Sequence, residues 1–224
     1  MTGAYDIDLA HFGSATASHA AKASRKPRRI GLSIGSGFHA NGWPLLKWAD
    51  LARALLDGGA AVTVLGGPAK AGLAKAIDVA CGQPGALDIG TGTSDFGSFV
   101  AMAAGLDLVI ASDGGTAHLC GLGAPILSVL GPSPYRRYAP FGSHNRLLSR
   151  TLSCSPCCQY AANLVNTCMT LECLSGSEPA LLAKVALRER PSRKPSEERL
   201  QGGVALFNAT SDLGREEMLH GIES

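Results

Sequence analysis

The sequence predicts an α/β fold, a Rossmann-like parallel sheet with helices on both faces. Three observations carry that reading. Short apolar runs ending in glycine alternate with segments whose apolar residues recur at helical spacing. Hydrophobic residues make up 46% of the chain and aromatics only 5%, which suits helices packed closely on a sheet better than an aromatic-rich sandwich. A length of 224 residues supports one well-cored domain but is short for two full α/β domains.

Residues 1–28 read as a flexible basic linker or remnant, because Lys22, Arg25, Lys26 and Arg28, with Arg29 just beyond, cluster without apolar periodicity. The core domain is expected over residues 29–187 and starts with RIGLSIGSG, a strand running into glycines. WPLLKWADLARALLDGG sets Leu45, Trp48, Leu51, Ala52 and Leu55 on one helical face behind Pro44, and AAVTVLGGP is a second strand. A helix follows near 69–80, an extended piece at 86–90, and a helix near 95–104 that Ser94 or Asp95 can cap. LDLVIAS at 106–112 is a buried strand, a helix begins near Gly115, and APILSVLG at 124–131 is the next strand. Such repeated units wind a parallel sheet that binds ligands at the carboxyl ends of its strands. Residues 188–224, charged and proline-containing, read as a charged flexible tail with at most a short helix.

The charge balance of 20 basic against 18 acidic residues disfavours nucleic acid as a partner. No apolar stretch resembling a signal sequence follows Met1, and no run of about 18 apolar residues occurs. A cytoplasmic location is expected. The seven cysteines are then thiols or metal ligands rather than a disulfide framework.

The corner ASDGGTAHLCGLG is where chemistry is expected. A helix starting within three residues of the strand end carries unpaired N–H donors and the positive end of the helix dipole, so it favours phosphate oxygens. Gly114 and Gly115 let the backbone approach an anion, and His118 can donate to it. Asp113 is acceptor-only when ionised and does not itself bind a phosphate, so its expected role is to brace the loop by accepting backbone N–H bonds. The bland alternative is an Asp-Gly-Gly turn that merely connects strand to helix. A second loop, GPSPYRRYAPFG, brings Ser133, Arg136 and Arg137 to the same end of the sheet, and arginine suits bidentate phosphate contact.

The order GSGFHANGWPLLKWADLARALLDGGAAVTVLGGP, then ASDGGTAHLCGLGAPILSVLGPSPYRRYAP, then CSPCCQY with CMTLECL resembles the carboxyl-terminal half of glycosyltransferase family nine, the ADP-heptose lipopolysaccharide heptosyltransferases. The resemblance spans about residues 29–185. It implies one lobe of a two-lobed GT-B fold, the lobe that binds a nucleoside-diphosphate sugar. The family's Asp-Thr-Gly-x-x-His motif falls on Asp113, Gly114, Gly115 and His118, its proline-serine loop on Gly131, Pro132 and Ser133, and its tryptophan-proline on Trp43 and Pro44. Two departures stand out. Asn41 replaces a lysine that contacts the donor diphosphate, and Ala69 and Lys70 stand where a glutamate often holds the nucleoside; His39 or Arg136 are the candidates to compensate.

The donor-binding set implied by the residues and the resemblance is therefore Asp113, Gly114, Gly115, His118, Ser133 and Arg136. The implied reaction is inverting transfer of a heptose or related sugar to a cell-envelope saccharide acceptor at the inner membrane surface, with no cofactor and no required metal. The carboxylate base of such enzymes lies on the amino-terminal lobe, and Asp6 and Asp8 are poor candidates for it, so a separate amino-terminal lobe is an expected partner. The alternative is a non-catalytic nucleotide-binding or interaction module. An unrelated dinucleotide-binding domain is disfavoured because no G-x-G-x-x-G follows the first strand.

Cys154, Cys157, Cys158, Cys168 and Cys173 give C-x2-C-C-x9-C-x4-C. The spacing is open to a structural tetrathiolate metal site, to a redox-sensitive site, or to reduced cysteines packing a loop.

Overall fold

A computed structural model describes residues 27–37, 41–93, 95–140, 145–150, 152–155, 157, 168, 170–188, 198–200 and 204–208. The basic residues Lys22, Arg25 and Lys26, as well as Asp6, Asp8, His39, Ser94 and Cys158, lie outside them. Strand β1 (Arg29–Ser33) leads through a glycine-containing loop to α1 (Leu45–Asp57), followed by β2 (Ala61–Leu65), a 3-10 turn at Pro68–Lys70, and α2 (Ala71–Ala80). Next come β3 (Asp88–Gly90), α3 (Phe96–Ala104), β4 (Leu108–Ser112), α4 (Gly115–Gly123) and β5 (Ile126–Leu130). Asp95 caps α3, accepting from the Ser98 N–H at 2.7 Å.

The strand order is β3-β2-β1-β4-β5 and then β6 (Arg146–Arg150), all parallel. This is the doubly wound arrangement, in which the chain leaves β1 in one direction and returns beside it as β4, opening a crevice between those two strands. Strand β6 has little local signal, because RLLSR is short and arginine-flanked; its Leu147 and Leu148 are nevertheless buried. The short helix α5 (Tyr135–Tyr138) precedes β6, and α6 (Glu172–Ser175) and α7 (Pro179–Leu187) follow it.

Helices cover both faces. On one, Trp48, Leu51 and Leu55 of α1, Ile77 of α2 and Leu182 of α7 pack on Ile30, Leu32 and Ile110. Full burial of each large apolar side chain stabilises by about 1.5–3 kcal/mol. On the other, Phe99 and Ala103 of α3 meet Ala117 and Cys120 of α4 over Val109 and Ile126. A Cβ at Gly123 would stand 2.6 Å from the Val100 carbonyl oxygen, so the absent side chain lets α4 approach the α3 backbone.

Two sequence expectations change. Arg28, placed in the linker, donates to the Arg188 carbonyl at 2.7 Å and so fastens the start of β1 to the end of α7. The region after 188, expected to hold at most a short helix, supplies β7 (Glu198–Leu200) and β8 (Val204–Asn208). Strand β8 pairs antiparallel with β6, from Arg146 opposite Asn208 to Arg150 opposite Val204. The physical reason is that β6 would otherwise end the sheet with unpaired backbone groups, and VALFN is a strand-forming sequence able to satisfy them.

Candidate functional site

The loops after β1, β4 and β5 meet at the carboxyl edge of the sheet, beside the β1–β4 crevice. Three side chains fasten them together. Asn41, after β1, donates from Nδ2 to the Asp113 carboxylate at 3.0 Å and approaches the Ser133 hydroxyl at 3.4 Å. The Ser133 hydroxyl in turn donates to Asp113. All three residues are buried. Burial pushes the Asp113 carboxyl above its ordinary value, opposed by the Ser133 hydrogen bond and by the charge of His118.

Asp113 accepts from two side chains, Asn41 and Ser133, rather than from the backbone N–H groups the sequence suggested. The difference arises because Asn41 and Ser133 come from loops 72 and 20 residues away, which local sequence cannot bring together. Ser133 spends its hydroxyl proton on Asp113, so its work here is to hold the loop. Asn41, which stands where the family resemblance implies a lysine, is a structural member of this network.

A second fastening lies one layer deeper. The Gly35 carbonyl accepts from Thr116 Oγ1 at 3.2 Å and from Ser112 Oγ at 3.4 Å, and Ser33 Oγ bonds Thr116 at 3.1 Å. A Cβ at Gly114 would lie 2.8 Å from the Gly35 oxygen. Glycine at 114 thus permits the close approach of the β1 and β4 loops, a role no local motif revealed. The motif alone shows no role for Thr116, which gains one only through Ser33 and Gly35 of the β1 segment.

The start of α4 faces outward. No side chain caps it, and nothing lies within 4 Å of where a Cβ on Gly115 would stand. His118 is exposed on the first turn. First-turn N–H groups there lie beside an open, glycine-lined surface, an arrangement whose geometry and dipole favour negative charge. Arg137 is exposed, with its guanidinium 5.9 Å from the Tyr138 ring centroid. Arg136 lies in α5 at this edge, and its side chain is outside the described residues. Lys70 sits after β2 in the 3-10 turn.

Trp43 anchors the first loop from behind. Its Nε1 donates to the Leu174 carbonyl at 3.0 Å, and its ring meets Trp48 edge-on with centroids 5.1 Å apart. Among the described residues, no group of three or more His, Cys, Asp or Glu is disposed to hold a metal ion, and no helix is long and apolar enough to cross a membrane.

Comparison with known proteins places this corner in context. No curated protein matches the chain. Among solved structures, it is similar to ADP-heptose LPS heptosyltransferase II of E. coli at 21% identity and a TM-score of 0.57, over 73% of this chain and 47% of that one. It is likewise similar to the family 9 glycosyl transferase of Veillonella parvula at 22% identity and a TM-score of 0.58, over 77% of this chain and 48% of that one. The chain thus spans about half the length of these structures, and the likeness is one of fold. The family model for glycosyltransferase family 9 (heptosyltransferase) matches residues 5–167, beginning upstream of the segment where the sequence resemblance starts. The chain belongs to glycosyltransferase family 9.

Proposed function

We propose that this chain is the nucleotide-binding lobe of a glycosyltransferase, with the diphosphate of a nucleoside-diphosphate sugar seated on the start of α4. The carrying observation is the uncapped first turn at Gly115, open to solvent, at a corner where Asn41, Asp113 and Ser133 lock three loops together. The backbone N–H groups of Gly115 and Thr116 donate to the phosphate oxygens, the next one, of Ala117, being donated to the Gly114 carbonyl at 3.0 Å. His118 donates from the first turn, and Arg136 adds charge from the loop after β5. Preorganised donors of this kind stabilise the charge that develops on a departing diphosphate. The name of the E. coli relative supports ADP-heptose as the donor class. The acceptor is then a cell-envelope saccharide at the inner membrane surface, the transfer is inverting, and the base that deprotonates the acceptor hydroxyl comes from an amino-terminal lobe. The chain acts in the cytoplasm.

Calorimetric titration with ADP, UDP and GDP tests the seat. ADP is expected to bind, and His118→Ala to weaken it by about 3–10-fold, about 0.7–1.4 kcal/mol. Absence of binding by every nucleotide at millimolar concentration would sink the reading. A second reading, binding without turnover, is favoured by Asn41, whose neutral amide is committed to Asp113 and supplies no cation to a leaving group. Incubation of the chain together with an amino-terminal lobe, ADP-heptose and a lipopolysaccharide-core acceptor separates the two, since ADP released only when this chain is present excludes the second.

A further inference from the structure

Behind the corner, a cavity of about 50 Å3 is lined by Pro132, Thr170, Leu171, Glu172 and four cysteines, Cys154, Cys157, Cys168 and Cys173. It has room for little more than a water molecule, so its chemistry lies among the thiols themselves rather than with an organic ligand. The four are not equivalent. Cys154 and Cys168 are exposed, Cys157 is half-buried, and Cys173 is buried.

Cys168 stands apart in its surroundings. Leu171 adopts a left-handed backbone with φ of 42°, unusual for a branched side chain, and it follows Thr170 at the start of α6. Successive N–H groups at such a bend form a concavity that holds anions. The backbone N–H groups of Leu171 and then Thr170, aided by the Thr170 hydroxyl, hold the Cys168 thiol below its ordinary value. Burial first, and then the charges of Cys154 and Cys168, hold the Cys157 thiol above its ordinary value. Cys173 is pushed up to about 11, by burial first and then by the charges of Cys157 and Cys168, and stays protonated as the back wall.

We infer that Cys168 and Cys157 form a dithiol that responds to hydroperoxides, with Cys168 attacking and Cys157 resolving. The Cys168 thiolate attacks one peroxide oxygen, the O–O bond breaks, and hydroxide leaves, which a proton converts to water. Sulfur has lost two electrons and carries a sulfenic hydroxyl. Conversion to the sulfenic acid removes the negative charge that opposed ionisation of Cys157. The Cys157 sulfur then attacks the Cys168 sulfur, an S–S bond forms, the S–O bond breaks, and oxygen departs as water with the Cys157 proton. In sum two thiols and one hydrogen peroxide give one disulfide and two waters, and an organic hydroperoxide gives its alcohol and one water. A pair of thiols, rather than a metal held by all four, fits the described residues, which offer no metal-binding group. Pro132 shares the cavity wall and precedes Ser133, but the thiol reaction needs no ligand at the neighbouring corner.

The test uses the full reduced chain with one equivalent of hydrogen peroxide in the presence of a metal chelator. Wild type is expected to lose two thiols and about 2 Da of mass. Cys168→Ala should slow thiol loss by about tenfold or more, and Cys157→Ala should leave a sulfenic acid on Cys168 that dimedone traps. Cys154→Ala and Cys158→Ala should oxidise like wild type. Unchanged kinetics in Cys168→Ala, or a link lost in Cys154→Ala or Cys158→Ala but kept in Cys157→Ala, overturns the assignment. Circular dichroism of each variant separates loss of reactivity from loss of fold.

Discussion

Asn41 and Asp113, 72 residues apart, are joined by a 3.0 Å hydrogen bond that closes the crevice between β1 and β4 from within. Both are buried, so removing the donor leaves a carboxylate short of a partner. Asn41→Ala should destabilise the fold by about 1.5–3 kcal/mol, the range for a hydrogen bond to a charged group. Urea unfolding with an unchanged slope would check it, and a loss below about 0.5 kcal/mol would show that water replaces the amide.

Asp113 gives a pH prediction with a definite sign. Its carboxyl titrates above its ordinary 3.8 in the folded chain, chiefly through burial. As pH rises from 3.8, the unfolded chain ionises first and the folded chain lags, so this group lowers stability until the folded carboxyl has also ionised. Asp113→Asn keeps an acceptor for Asn41 and removes the titration. The stability of Asp113→Asn relative to wild type should therefore rise from pH 3.8 upward and then level off. A flat or falling difference in matched denaturation curves would contradict the buried, raised carboxyl.

The two glycines of the corner should separate folding from binding. Gly114→Thr, which installs the family residue, forces a Cβ against the Gly35 carbonyl 2.8 Å away and should cost about 1–3 kcal/mol. Gly115→Ala meets open space, so stability should change by less than about 0.5 kcal/mol. If the anion seat is real, the same methyl group obstructs the approach of a phosphate, and ADP affinity should fall by about tenfold or more. Equal ADP affinity in wild type and Gly115→Ala would place the nucleotide elsewhere.

Thiol accessibility offers a check on the far face of the sheet. Burial raises Cys120 to about 12 against a small opposing contact with Ser33. At pH 8 only about 1 thiol in 10,000 there is ionised, so iodoacetamide should leave Cys120 unlabelled in the folded chain while Cys154 and Cys168 react. Labelling of Cys120 at the rate of Cys154 would mean that α4 lifts from the sheet.

What the sequence determined by itself was the alternation of strands and helices from Arg29 to Leu130, because period and punctuation are local properties. The apolar face of WPLLKWADLARALL, the cap at Asp95 and the Gly-Gly corner after LDLVIAS each depend on residues within a few positions of one another. Strand order and site architecture belong to the tertiary structure. That β1 lies beside β4, that β8 completes the edge left by β6, and that Asn41, Asp113 and Ser133 share one buried network all rest on contacts between distant segments. A carboxylate's partners are chosen by what folding brings within about 3 Å of it, and burial then makes those partners obligatory.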